Sequence, residues 1–368
     1  MLRDGRTAPQ LDMLRPTALR QIYRRTKLQD LITAWKHGLK LSESALLAAV
    51  LILLSSSPAD CGNAKSGNRP NTLFKLPIWL DVRGERADAD LRASDLKITI
   101  GKSPVTVSAV KGPSSPTLLF VAIDTVGDIA YINTARKTLA EEIDTLGSQF
   151  WVGLISAQEQ MQILQEPTAD RPLLERKIED LTQIGKAGLL ESIQPISYLA
   201  TGVLLNSEVR VAIIFITDSD IGNYRADYLN PPVNASDSRD LSRRFAGRAL
   251  QEKISRVAGL MAHAQAPVFI VHLDPGLDPL NRSYHNGLKQ LAESTGGHCL
   301  LSKTSGDIPL NIHEAFQWAK SFYLAEFSLV SEDSGYKRVQ ISLSTAEDRE
   351  DRKASAPRLI HPAKIFVP

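Results

Sequence analysis

Val209-Arg210-Val211-Ala212-Ile213-Ile214-Phe215-Ile216-Thr217-Asp218 is a nearly unbroken apolar, β-branched run that stops on a carboxylate, and Leu118-Leu119-Phe120-Val121-Ala122-Ile123-Asp124 is another. That texture is what a strand buried on both faces of a parallel sheet requires. In such sheets ligands bind beyond the carboxyl ends of the strands, which puts Asp124 and Asp218 on one rim, facing solvent. Each is followed by a further acid, Asp128 and Asp220. Like charges gathered on a rim are costly unless a cation, a basic ligand or water separates them, so a metal held by Asp124, Asp128, Asp218 and Asp220 is one reading. The other is that aspartates end strands as turn formers and helix N-caps, and for Asp128 and Asp220 taken singly it is at least as good.

Outward from these two runs, residues 116–322 alternate strands with helices, the signature of a doubly wound sheet. A helix is expected from about Ile129 to Leu146, then a strand over Phe150–Ile155 and a short edge strand over Met161–Leu164. Asp170 caps a helix beginning near Pro172, and Gly188–Leu205 reads as helical, with Pro195 starting it late or kinking it. After Asp218 comes a loop, Ser219–Asp237, broken by Gly222, Asn230-Pro231-Pro232 and Asn234. Loops this long in a compact domain are functional or disordered, so Asn223 and Tyr224 join Asp124, Asp218 and Asp220 as expected partner contacts. A helix from about Asp240 to His263 leads to the strand Val268–Asp274. A helix over Ser283–Ser294, a strand over His298–Leu301 and a helix over Ile312–Tyr323 complete the middle.

On either side the texture changes to short alternating runs. Ile78–Val82, Leu96–Ile100 and Val105–Val110 precede the middle, and Ala325–Val330 and Lys337–Leu343 follow it. Neither set has enough strands to hide its apolar face alone, so both are expected in one small β-sandwich beside the central domain.

The 368 residues suffice for two domains, with 43% hydrophobic residues and a net charge of only +2. No basic excess points to nucleic acid. Basic residues crowd the first forty positions, and the apolar run Ala45–Leu54, too short for a comfortable membrane span, leads to Ser57-Pro58-Ala59. This is the pattern of an export signal cleaved after Ala59; the long charged region before it fits a start placed too early, with Met13 as an alternative, or an uncleaved anchor, which would be the chain's sole membrane contact. Two cysteines, Cys61 and Cys299, make no disulfide framework, and the residues before Cys61 match a lipid attachment signal poorly. The boundaries so read are 1–59 for the basic region and signal, 60–75 for a flexible leader, 76–113 and 323–368 for the two parts of the sandwich with a C-terminal tail, and 114–322 for the central domain.

In order and spacing, Leu80-Asp81-Val82-Arg83-Gly84, Leu91–Leu96, the strand ending at Asp124, Leu189-Leu190-Glu191-Ser192-Ile193, the strand ending Thr217-Asp218, and Leu291–Gly297 resemble the von Willebrand factor A domain, specifically its exported bacterial branch abundant in Acidobacteria. The resemblance covers roughly Leu76 to Leu343. It implies a Rossmann-like α/β domain with a central, mostly parallel sheet, and a metal-ion-dependent adhesion site in which a partner's carboxylate completes the ion's shell. In this chain that motif is degenerate: Asp124 and Asp218 match its aspartates, but its two serines fall on Val126 and Asp128 and its threonine on Ala187. Magnesium demands near-ideal octahedral geometry, so the loss of hydroxyls leaves calcium better suited than magnesium, and no cofactor at all better suited than either.

Signals for catalysis are sparse. Ser219 lacks a Gly-x-Ser-x-Gly elbow, no phosphate-binding loop, dinucleotide fingerprint or zinc spacing occurs, and the histidines are scattered singly, with His272 near Asp274 on a strand end. The expectation is an exported, non-enzymatic, adhesion-like module that binds a protein through the Asp124/Asp218 rim, in the periplasm or on the cell surface. Its rivals are an envelope scaffold without a ligand site and a metal-dependent hydrolase.

Overall fold

The computed structural model describes residues 72–82, 85–86, 90–158, 161–182, 186–220, 238–274, 276, 279–330, 333–344 and 358–368. The basic region, the export segment, Cys61, Asn223 and Tyr224 lie outside them.

The chain enters through β1 (Thr72–Val82), β2 (Glu85–Arg86), β3 (Leu96–Ile100), β4 (Ser103–Val105) and β5 (Val107–Lys111). The central region follows with β6 (Thr117–Asp124), α1 (Ile129–Asp144), β7 (Phe150–Ser156), β8 (Gln162–Thr168), α2 (Arg171–Glu179), α3 (Leu189–Asn206), β9 (Arg210–Thr217), α4 (Ser238–Leu260), β10 (Val268–His272), α5 (Pro279–Ser294), β11 (Cys299–Leu301) and α6 (Asp307–Ser321). The chain leaves through β12 (Tyr323–Leu329), β13 (Gly335–Leu343), β14 (Arg358–Ile360) and β15 (Lys364–Val367).

The expected architecture is present. The central sheet runs β11-β10-β9-β6-β7-β8, parallel except where β8 joins β7 antiparallel at the edge. Every residue of β6 and β9 is buried, as strands covered by helices on both faces must be. From β6 the chain steps to β7 on one side and later returns to β9 on the other, so the topological switch point lies between β6 and β9, where the two acid-terminated runs stand side by side.

Both ends of the chain share a sandwich. Its sheets are β14-β1-β12-β5, with β2 also on β1, and β15-β13-β3-β4, closed over a core that includes Phe74, Ile78, Ile98, Phe327 and Val339. β1 and β12 pair directly, Thr72 opposite Leu329 through Ile78 opposite Tyr323. From Phe74 to Leu80 β1 is buried on both faces: Phe74, Leu76, Ile78 and Leu80 enter the sandwich core, while Trp79 packs in the core of the central region and donates from Nε1 to the Trp318 carbonyl at 2.9 Å. Lys75, on the same side as Trp79, donates from Nζ to the Ser207 carbonyl at 2.8 Å and pairs with Glu326 at 3.3 Å.

Four details differ from the sequence reading. β1 begins at Thr72, inside the segment expected as leader, because residues 72–75 already pair with β12. The run Val105–Val110 is two strands, β4 and β5, in different sheets. α3 starts at Leu189 and runs through Pro195, whose missing N–H would have bonded the Glu191 carbonyl. The C-terminal tail contributes two further strands, β14 and β15.

Candidate functional site

The ends of β6 and β9 are locked in register, Asp124 opposite Thr217, with the Asp218 amide donating to the Asp124 carbonyl at 3.2 Å. Asp124 is fully buried and does not face solvent. Its Oδ1 accepts the Gly188 amide at 2.9 Å and its Oδ2 accepts the Thr217 hydroxyl at 3.0 Å. Gly188 and Leu189 open α3, and the Leu189 amide also bonds the carboxylate, so Asp124 satisfies the orphan N–H groups at that helix's start. Burial raises the Asp124 carboxyl to about 7, against the opposing pull of these donors and with a further push from the charge of Asp218.

Asp218 closes the neighbouring loop. Its Oδ1 accepts the Val126 amide at 2.9 Å and its Oδ2 accepts the Gly127 amide at 2.7 Å. A Cβ on Gly127 would stand 3.0 Å from that oxygen, which is why glycine suits the position. Burial raises this carboxyl too, opposed by the two amides. Asp128 is the N-cap of α1, its Oδ1 accepting the Ala130 amide at 2.7 Å, and Asp220 is half-buried.

The four-aspartate metal shell is therefore not assembled. Among the described residues no three His, Cys, Asp or Glu side chains gather where they could hold an ion. The physical reason is donor supply: Asp124, Asp128 and Asp218 each turn at least one oxygen to a main-chain N–H group, and the second oxygen of Asp124 accepts the Thr217 hydroxyl. Val126 and Ala187, where the resemblance places hydroxyls, offer no side-chain oxygen. These residues do not fit a divalent cation.

A hydroxyl network behind the rim escaped the sequence reading. The Ser219 Oγ lies 2.7 Å from both the Thr217 Oγ1 and the Tyr284 hydroxyl, and all three residues are fully buried. His272 contacts the Ser219 carbonyl from Nε2 at 2.7 Å, so that nitrogen carries the proton. Burial, together with the adjacent His285 ring, lowers His272 to about 3, and it stays neutral. Ser219 and His272 thus meet through a carbonyl, not as nucleophile and base. The only hint in sequence was the hydroxyl–acid–hydroxyl order of Thr217-Asp218-Ser219.

The surface of this rim is apolar at two points. Ile129 and Leu310 are 64% and 69% exposed in the first turns of α1 and α6. Each of these helices follows a strand of the parallel sheet, β6 or β11, so both first turns stand at the strands' carboxyl ends.

No protein-family model matches the chain, and no curated protein matches it. Solved structures do. The von Willebrand factor domain of the type V pilus tip protein Mfa5 from Porphyromonas gingivalis is similar at 16% identity over 55% of this chain and 94% of that chain, with a TM-score of 0.41. A von Willebrand factor type A protein from Catenulispora acidiphila is similar at 9% identity over 83% and 75%, with a TM-score of 0.41. An aerotolerance-related membrane protein from Bacteroides fragilis is similar at 13% identity over 55% and 98%, with a TM-score of 0.33. The likeness is one of fold alone.

Proposed function

We propose that this chain is an exported, non-enzymatic module that binds a protein partner with the rim at the ends of β6 and β9, through direct contacts and without a bridging metal. The observation that carries the reading is the Asp218 carboxylate closed onto the Val126 and Gly127 amides. It holds the loop after β6 with main-chain donors, at the place where an ion-dependent rim needs free oxygens. At the same end of the sheet, Ile129, next in the chain to that loop, and Leu310, at the start of α6, present apolar side chains to solvent, the kind of group that anchors a protein contact when a partner covers it. The buried hydroxyls and the neutral His272 supply a rigid floor and no accessible nucleophile.

The test is capture from an envelope extract with the wild-type chain, identification of the captured protein, and a binding titration with that protein purified. Ile129→Asp with Leu310→Asp is expected to weaken binding by about tenfold or more, equivalent to roughly 1.4 kcal/mol, while the melting temperature stays put. Chelator, calcium and magnesium are each expected to leave the affinity unchanged. Binding abolished by chelator would overturn the metal-free reading, and full affinity in the double variant would move the contact off this rim. Fractionation with N-terminal sequencing checks the export: an intact chain in the cytosol would refute it.

A further inference from the structure

A second surface stands in the sandwich, away from this rim. β15 pairs with β13 from Gly335 opposite Val367 to Arg338 opposite Lys364, and the last bond on that side runs from the Val339 amide to the Ala363 carbonyl at 2.9 Å. Before Ala363 the chain belongs elsewhere: β14 sits in the other sheet, against β1. On its opposite edge β13 pairs with β3 as far as Leu343. Backbone groups alternate in direction along a strand, and the Val339 amide points toward β15. The N–H and C=O of Ile341 and Leu343 therefore point the same way, past the end of β15, where no described strand pairs with them. β14 is likewise the outermost strand of its sheet.

These two strand edges wall one cleft of about 450 Å³, lined by Arg338–Ile341, Arg358–His361 and Ala363. Its lining is apolar at Val339, Ile341, Leu359 and Ile360 and cationic at Arg338 and Arg358. Lys364 stands opposite Arg338 in one ladder, and Asp81 stands opposite Arg358 in the other. The imidazole of His361 contacts the Pro362 carbonyl from Nδ1 at 2.9 Å.

We propose that this cleft binds an extended acidic segment of a partner protein, which adds as a strand along the open edge of β13 with its carboxylates on Arg338 and Arg358. An exposed strand edge is a template for another backbone, and alternating N–H and C=O groups are complemented by a second strand better than by any compact ligand. Guanidinium groups at the mouth select carboxylates through charge-assisted hydrogen bonds.

The probe is the hexapeptide acetyl-(Val-Glu)3-amide, with acetyl-(Val-Lys)3-amide as its counterpart, titrated against the full chain and followed by hydrogen exchange. The acidic peptide is expected to protect residues 338–343 and 358–363, and the basic one to protect neither. Arg338→Ala with Arg358→Ala is expected to weaken the acidic peptide by about tenfold or more. Ile341→Pro removes one amide on the open side and no bond to β3, together with a side chain packed on the sandwich core, so it is expected to abolish protection by the peptide while circular dichroism shows that the sheets persist. No protection by the acidic peptide, or equal binding by the arginine variants, would overturn the proposal. Protection in the free chain that rises with its concentration would assign the cleft to a second copy, and protection independent of concentration would assign it to the chain itself; either would also overturn it.

Discussion

Asp124 and His272 are both buried at the rim, and their protons act on stability in opposite directions. The Asp124 carboxyl rises from 3.8 to about 7 on folding. Between those values the folded chain keeps a proton that the unfolded chain releases, so this group makes the fold less stable as pH rises through that window. His272 falls from 6.5 to about 3. Between those values the unfolded chain takes up a proton that the folded chain refuses, so this group makes the fold less stable as pH falls. Each acts with a slope of at most about 1.4 kcal/mol per pH unit, and where the windows overlap they offset one another. Relative to wild type, Asp124→Asn is expected to lose stability on acidification from pH 6.5 to 4, and His272→Gln to gain it. Urea midpoints across that range check both; parallel pH profiles for the two variants and the wild type would refute the opposition.

At the scale of elements, glycines report how closely backbones approach. A Cβ on Gly297, just before β11, would lie 1.8 Å from the Val268 carbonyl oxygen at the start of β10. Main chain cannot swing aside, so Gly297→Ala is expected to destabilise by about 3 kcal/mol or more. A Cβ on Gly287, within α5, would lie 2.1 Å from the Ile254 Cδ1 of α4. That atom is the far end of a flexible side chain, and alanine in a helix interior gains about 1 kcal/mol over glycine, so Gly287→Ala is expected to be near neutral. Denaturant titration of both variants decides it, and similar losses in the two would contradict the distinction between backbone and side-chain neighbours.

At the largest scale, the sandwich and the central region are held together by parts that serve both. β1 sends alternate side chains into each. Arg210, fully buried at the head of β9, donates to the Pro113 carbonyl at 2.6 Å, where the chain leaves the first half of the sandwich. It also donates to the Phe322 carbonyl at 2.6 Å, where the chain returns to the second half, and its guanidinium stacks over the Phe322 ring. One side chain thus ties both crossings, and residues 69–368 are expected to unfold in a single transition. Arg210→Met leaves the carbonyls without their donor and is expected to cost about 3 kcal/mol or more. Circular dichroism and tryptophan fluorescence report it together: coincident curves are expected for wild type, and two separated wild-type transitions would refute the coupling.

The sequence by itself determined the layers of this protein. Continuous apolar runs marked β6 and β9 as strands buried on both faces, alternation marked β1, β3, β12 and β13 as sandwich strands, and two half-sandwiches too small to stand alone had to meet. It also placed Asp124 and Asp218 at strand ends on one rim, because strand direction follows from local pattern and connection; that the two strands are neighbours at the switch point came only from the order of the sheet. What those carboxylates do was decided only by the tertiary structure. The donors to Asp124 come from Gly188 and Thr217, 64 and 93 positions away, and those to Asp218 from Val126 and Gly127, 92 and 91 away. Most of these donors are main-chain N–H groups, which every residue except proline carries and no residue type announces. Hydrophobic period reveals which face is buried. It says nothing of which amide a buried carboxylate meets, and for that reason the sequence left a metal shell and the roles of turn former and helix cap both open for these acids, while the fold shows them bonded to the amides of loops and helix starts.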